Sequence, residues 1–196
     1  MNKNLIIITG ITMAGKSSTA KALVNRLQTE GVAVELLKET TTRPKRKSDY
    51  SNPEYNFVTE EEYNQKDFLV SVDFNVSSGE IWKYGIENQD FPKLGVIVSN
   101  MYAIDSLLSQ RIPPMDINIT IIYLNVTEEE ILKRNKGDRL SQLGDDVIER
   151  IRRDIDKYNQ IFYKWEDCIH EIWCDDLSFE EVLDCVYSAI REDECF

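Results

Sequence analysis

The stretch GITMAGKSST, Gly10 to Thr19, lies directly behind the apolar run LIIIT and restricts this chain more than any other feature. Gly10 to Ser17 satisfies GxxxxGK[ST], a pattern that has physical content only between a strand and a helix. Both are written here. Leu5 to Thr9 is a short continuous apolar run, as in a parallel strand covered on both faces. Ser17 to Glu30 sets Ala20, Leu23, Val24 and Leu27 at i, i+3, i+4 and i+7, an amphipathic helix stopped by Gly31. Val32 to Leu37 reads as a second strand. Strand, glycine loop, helix and strand open a βαβ unit, so the expectation is an α/β fold built on a parallel sheet. In such a loop Gly10, Ala14, Gly15, Lys16, Ser17 and Ser18 wrap the phosphates of a nucleotide. Backbone N–H groups and the helix N-terminus donate, Lys16 bridges the outer phosphates, and the Ser17 hydroxyl is the expected ligand of Mg²⁺ brought with ATP.

The remaining chain fits around one such core, because 196 residues suffice for a single α/β domain with a small insertion. After Leu37 the pattern breaks into short polar pieces, and residues 39–89 read as an inserted subdomain lying over a core of 1–38 and 90–196. Within the insertion Thr59 and Glu62 form a capping box before a short helix. LGVIV, Leu94 to Val98, resumes the buried-strand pattern. A helix is expected over Met101 to Gln110, a strand over Ile117 to Leu124, and capped helices begin at Thr127 with Glu130 and at Ser178 with Glu181. The polar, glycine-containing segment NKGDRLSQLGD sits between arginine-bearing helices and reads as a lid over about 134–150.

Charge narrows the function. A formal net charge of −12 argues against a broad nucleic-acid footprint, which needs many Lys and Arg to neutralise phosphates. The cations are clustered instead, in TTTRPKRK, LKRNKGDR and ERIRR, a distribution suited to a small polyanion held in a cleft. No apolar run approaches the ~20 residues of a membrane span, and the N-terminus runs straight into a strand, so a cytoplasmic protein is expected. Cys168, Cys174, Cys185 and Cys195 match no metal-site spacing and read as free thiols. The lone His170, beside the probable strand EIWC, reads as packing or surface. Asn135 to Asp138 spells NKGD, but it follows a helix and not the strand end a guanine-reading GTPase loop requires.

ETTTRPKRKSDYSNPEYNFVTEEEY, Glu39 to Tyr63, resembles the monophosphate-binding segment of guanylate kinases, whose pattern is roughly TTRxPR, a spacer, then DYxFVxxxEF. With the phosphate loop, Trp82-Lys83-Tyr84-Gly85, the arginine-bearing lid and Cys174-Asp175-Asp176-Leu177, similar to the family's NDDL, the resemblance runs over nearly the whole chain. It implies a P-loop NTPase three-layer core carrying an inserted monophosphate-binding subdomain and a helical lid. It also implies phosphoryl transfer from MgATP to a nucleoside or deoxynucleoside monophosphate, GMP or dGMP first. Arg43, Arg46, Tyr55 and Tyr84 match the positions that grip the acceptor's phosphate; two guanidinium forks and two phenols suit a dianion. Arg134, Arg139 and Arg150 match the arginines that close over the transferring group with Lys16, where positioning and electrostatics dominate and no catalytic histidine is needed.

The sequence departs from that family at the base. The serine before TTRxPR and the glutamate after the insertion's helix, which read guanine, align with Glu39 and Val70; Asp73 is the nearby carboxylate that could replace the second. The strand-end acidic pair aligns with Val98, Ser99 and Asn100, of which Asn100 stays as an acceptor-side candidate. Val70 cannot accept from guanine N1–H and N2–H, and an unpaired buried donor costs roughly 1–3 kcal/mol. A non-guanine acceptor, either a modified nucleotide or ribose 1,5-bisphosphate, is therefore the second expectation, and a non-catalytic guanylate kinase-like binding module the third. Oligomeric state is not legible.

Overall fold

The computed structural model describes residues 3–45, 47–50, 55–75, 79–88, 91–110, 117–134 and 145–193. Its strands are β1 (Lys3–Gly10), β2 (Val34–Leu36), β3 (Glu39–Thr41), β4 (Tyr55–Phe57), β5 (Phe68–Asn75), β6 (Ile81–Glu87), β7 (Leu94–Val98), β8 (Ile117–Asn125) and β9 (His170–Trp173). Its helices are α1 (Lys16–Thr29), α2 (Glu60–Asn64), α3 (Met101–Ser109), α4 (Glu128–Arg134), α5 (Asp145–Lys164) and α6 (Phe179–Glu192).

β1 is the centre of a five-stranded sheet of order β2-β7-β1-β8-β9, parallel at every pairing. Ile6, Ile7 and Ile8 are all fully buried, as a strand covered on both faces requires. Each such side chain stabilises the fold by roughly 1.5–3 kcal/mol. From β1 the chain steps towards β2, whereas from β7 to β8 to β9 it steps the other way. Right-handed crossovers then lay α1 on one face and α3, α4 and α5 on the other. α6 buries Val182, Leu183, Val186 and Ile190 and packs against α1, closing the first face. The reversal occurs at β1, so a crevice opens at the carboxyl ends of the strands where the phosphate loop begins.

Residues 39–87 carry a second, four-stranded sheet of order β4-β3-β6-β5, joined to the core through contacts of β5 with α3. These strands were not legible as strands, because ETT and YNF are short and polar and β5 alternates burial instead of presenting an apolar run. The capping boxes at Thr59/Glu62 and Ser178/Glu181 are both formed. The third is only half formed. Thr127 Oγ1 accepts from the Glu130 N–H at 3.2 Å, but the Thr127 N–H donates to Asp175 at 3.0 Å, because the Glu130 carboxylate is held by Lys133 and Arg134. Most of the expected lid, 135–144, lies outside the described residues. Among the described residues no helix is long and apolar enough to cross a membrane.

Candidate active site

The turn after β1 is shaped by backbone conformation. Gly10 has φ 148°, and a Cβ there would stand 2.7 Å from the Leu124 carbonyl oxygen, so only glycine lets β1 and β8 lie this close at the loop. Gly15, at φ 93°, is the N-cap of α1 and supplies no side chain to the helix's first N–H groups. Nor does the first turn carry an acid. The positive end of the helix is thereby left for an anion. Lys16 Nζ donates to the Ile11 carbonyl at 2.8 Å, folded over the loop it would serve. Thr12 Oγ1 donates to Asp154 of α5 at 3.1 Å, which ties the loop to the lid-side helix.

Beside this loop is a cleft of about 430 Å³ between α1, α4 and the segment before α6, lined among others by Gly15, Ser18, Arg134, Leu177 and Phe179. Arg134 enters it from the end of α4, steadied by Glu130 at 2.8 Å and by the Cys174 carbonyl. Lys133 and Arg134 together hold the Glu130 carboxyl below the usual carboxylate range. Phe179 keeps nearly half its surface exposed there and offers an aromatic face. Arg139 lies outside the described residues, as does the side chain of Arg150, whose backbone is in α5.

The second sheet presents its working face through register. Thr41 opposes Tyr84, Tyr84 opposes Val72, and Tyr55 opposes Glu39, so these side chains share one face with Val70, two residues from Val72. On that face the Tyr55 and Tyr84 rings meet at 6.1 Å, Tyr84 and Phe74 at 6.3 Å, and Phe74 reaches Tyr102 of α3 at 6.0 Å. Phe74 and Tyr102 were missed from sequence, since nothing but the phase of β5 marks Phe74, and Tyr102 meets it from α3. The expectation for Asp73 is corrected by the same phase. It opposes Lys83, is exposed, and stands on the outer face with Ser71, turned away from Tyr84.

Arg43 is 4% exposed and internally braced. Nη1 donates to Asp49 at 2.9 Å and to the Pro44 carbonyl at 2.9 Å, and Nη2 donates to Asp49 at 3.2 Å. The guanidinium stands 5.3 Å from the Tyr55 ring centroid. Of its five N–H groups these bonds use three, leaving Nε–H and one on Nη2 without a partner among the described residues, along a single edge that can fork onto a phosphate. Asp49 was not foreseen, although its place six residues after Arg43 in a basic run was a readable signal. Arg46, the second expected fork, lies outside the described residues.

Glu39 and Val70 are 2% and 1% exposed. Ser99, just past β7, donates its hydroxyl to Glu39 Oε1 at 2.7 Å, and its own N–H donates to the Ile8 carbonyl of β1 at 3.2 Å. Burial pushes the Glu39 carboxyl up to about 7, against the opposing pull of the Ser99 bond and the Lys16 charge. The structure thus brings Glu39, Ser99 and Lys16 into one electrostatic neighbourhood. Asn100 caps α3, accepting from the Ala103 N–H at 3.0 Å, which leaves its amide nitrogen to donate. For a divalent cation the loop offers the Ser17 hydroxyl. Among the described residues no cluster of three or more His, Cys, Asp or Glu forms a cage. Such a donor set suits Mg²⁺, which keeps several of its waters.

Comparison with protein families places this arrangement. The model of the guanylate kinase family matches residues 2–193. The chain belongs to the guanylate kinase family. Among solved structures, the guanylate kinase from Anaplasma phagocytophilum matches with a TM-score of 0.59 at 15% identity, covering 98% of this chain and 86% of that one. The protein APE1195 matches with a TM-score of 0.51 at 14% identity, covering 97% and 96%. At these identities the structures speak for the fold alone. A search of curated proteins returns no match to this guanylate kinase-family chain.

Proposed function

We propose that this chain is an enzyme that transfers the γ-phosphoryl group of MgATP to the phosphate of a nucleoside or deoxynucleoside monophosphate. The observation that carries the reading is Arg43, buried, braced by Asp49 and left with one donor edge beside Tyr55. A buried cation with a pre-aimed fork is what an acceptor phosphate needs. The family and fold support the same class of reaction.

In this reading Lys16 leaves the Ile11 carbonyl for the β- and γ-phosphate oxygens, while the loop amides hold the chain of phosphates. Mg²⁺, when bound with ATP, would neutralise charge on the outer phosphates, and the Ser17 hydroxyl is the protein group that would hold it. Arg43, Tyr55 and Tyr84, with Arg46, orient the acceptor. Arg134, with Arg139 and Arg150, meets charge on the equatorial oxygens of the transferring group. An acceptor phosphate oxygen attacks phosphorus, the bond to the ADP oxygen breaks, and a nucleoside diphosphate forms. The attacking oxygen is already ionised, so no general base is required. A cytoplasmic setting accords with the free thiols of Cys168, Cys174 and Cys185.

GMP or dGMP is the first acceptor to expect from the family. A second reading, a non-guanine acceptor such as a modified nucleotide or ribose 1,5-bisphosphate, is favoured by Val70, which puts an apolar wall on the working face. The deciding experiment is ADP release with MgATP across GMP, dGMP, AMP, CMP, UMP, dTMP and ribose 1,5-bisphosphate, with the phosphorylated product identified. Turnover with none of them, together with no ATP binding, would leave the non-catalytic binding module in its place.

A further inference from the structure

P-loop phosphotransferases pair the hydroxyl of the loop with a carboxylate that steadies the hydrated magnesium ion, and that acid commonly ends a neighbouring strand. Here the strands flanking β1 end without one: β7 runs into Val98-Ser99-Asn100, and β8 closes on Leu124-Asn125-Val126. At the end of β7 the acid whose carboxyl arrives by a hydrogen bond, among the described residues, is Glu39, whereas at the end of β8 Glu171 of β9 accepts from Asn125 Nδ2 at 2.7 Å. Glu39 comes from β3 and meets Ser99 Oγ at 2.7 Å, one residue past the strand, where the Ser99 N–H is bonded to β1. Lys16 acts on its charge. Oε2 has no hydrogen-bond partner among the described residues, so one oxygen of the carboxyl remains available to a group that arrives. Of the other buried acids near the loop, Asp154 is bonded to Thr12 on the α5 side and Glu130 is paired with Lys133 and Arg134.

We propose that Glu39 is the magnesium-positioning acid of this enzyme, its carboxylate accepting from the ion's water shell while Ser99 fixes its orientation. The charge normally carried by the strand end is delivered from the inserted sheet. This gives Glu39 a place at the phosphate end of the cleft instead of at the acceptor's base, and it rests on the reading of the chain as a MgATP-dependent kinase. A single carboxylate acting through water fits an ion that sheds its hydration reluctantly. Outer-shell groups of this kind are worth about 10- to 100-fold in metal affinity.

The test uses Mn²⁺ as the probe with the full chain. Affinity for ADP is measured by calorimetry with and without Mn²⁺, and bound Mn²⁺ by electron paramagnetic resonance, for the wild type, Glu39→Gln, Glu39→Asp and Ser99→Ala. Glu39→Gln is expected to lower the enhancement of ADP binding by Mn²⁺ about tenfold or more, with metal-free ADP affinity unchanged. Glu39→Asp should restore part of it, and Ser99→Ala should lose less than Glu39→Gln. An unchanged Mn²⁺ enhancement in a folded Glu39→Gln protein overturns the proposal. So does weaker binding of monophosphates in that variant, with ribose 5-phosphate binding and Mn²⁺ enhancement both intact, which would make Glu39 a base reader. If the wild type itself binds neither ADP nor Mn²⁺-ADP, the kinase reading fails and takes this proposal with it.

Discussion

Asp49 holds Arg43 by two parallel bonds, at 2.9 and 3.2 Å, with both side chains largely withdrawn from water. In the proposed reading the pair serves the acceptor grip in two ways: it compensates a buried cation, and it occupies the guanidinium's end so that the Nε/Nη2 edge keeps no partner among the described residues. Removing one partner from a buried pair typically costs about 3–5 kcal/mol. An asparagine that still accepts one bond should cost less. Asp49→Asn is therefore expected to lower Tm and to raise KM for the monophosphate roughly tenfold, leaving KM for ATP unchanged. Steady-state kinetics with each substrate varied checks this; a lowered monophosphate KM would mean that Asp49 competes with the acceptor.

The Glu39 carboxyl makes stability depend on pH in a stated direction. Its folded value is raised to about 7 from an ordinary 4.5, with burial as the cause. The native state then binds more protons than the unfolded chain between those values. The contribution is complete below about pH 4.5 and is lost as pH rises through 7. Glu39→Gln removes the titration. The variant should gain on the wild type between pH 5 and pH 8, by up to roughly 3 kcal/mol. Chemical denaturation of the metal-free protein at the two pH values measures it. A difference independent of pH would show that Glu39 is not desolvated in solution.

How much could be read beforehand follows from which signals are local. β1, the phosphate loop and α1 are specified by contiguous residues, since an apolar run, two glycines of positive φ and a 3.6-residue period all sit within Leu5 to Glu30. β7 was legible to the residue because LGVIV is an unbroken apolar run, buried from Leu94 to Ile97. The inserted sheet was not, because its strands draw stability from pairing with partners up to about forty residues away and are apolar on one face at most. The Glu39–Ser99 bond joins positions sixty apart, so the sequence showed that an expected acid was absent from the strand end but not that another chain segment delivers one there. Asp73 failed for the opposite reason: its distance along the chain suited the role, but the two-residue alternation of β5 turned it outward.

Thr9 offers a test of local cost. Its hydroxyl, on the penultimate residue of β1, is fully buried, with no hydrogen-bond partner among the described residues. An unsatisfied buried hydroxyl costs about 1–3 kcal/mol, and valine keeps the branched shape that a central strand favours. Thr9→Val should stabilise the protein by about 1 kcal/mol without altering KM for ATP. Equilibrium unfolding with urea decides it. A destabilised variant would reveal a partner, such as an internal water, on that hydroxyl.

Lys16 tests the centre of the mechanism. In the nucleotide-free protein its ammonium donates to the Ile11 carbonyl at 2.8 Å, so the loop holds its own cation in reserve. Taking that cation away leaves Glu39 without the charge that favours its anion and the outer phosphates without a counter-charge. The fold does not depend on it, because α1 is secured through Ala20, Leu23, Val24 and Leu27 on its buried face. Lys16→Ala should therefore unfold close to the wild-type temperature while kcat falls by about 10²–10³ or more, the usual cost of losing one transition-state donor. Product formation by chromatography, beside a thermal melt, gives both readings. Near-normal turnover in the folded variant would falsify the assignment of phosphoryl transfer to this loop, whatever acceptor the enzyme uses.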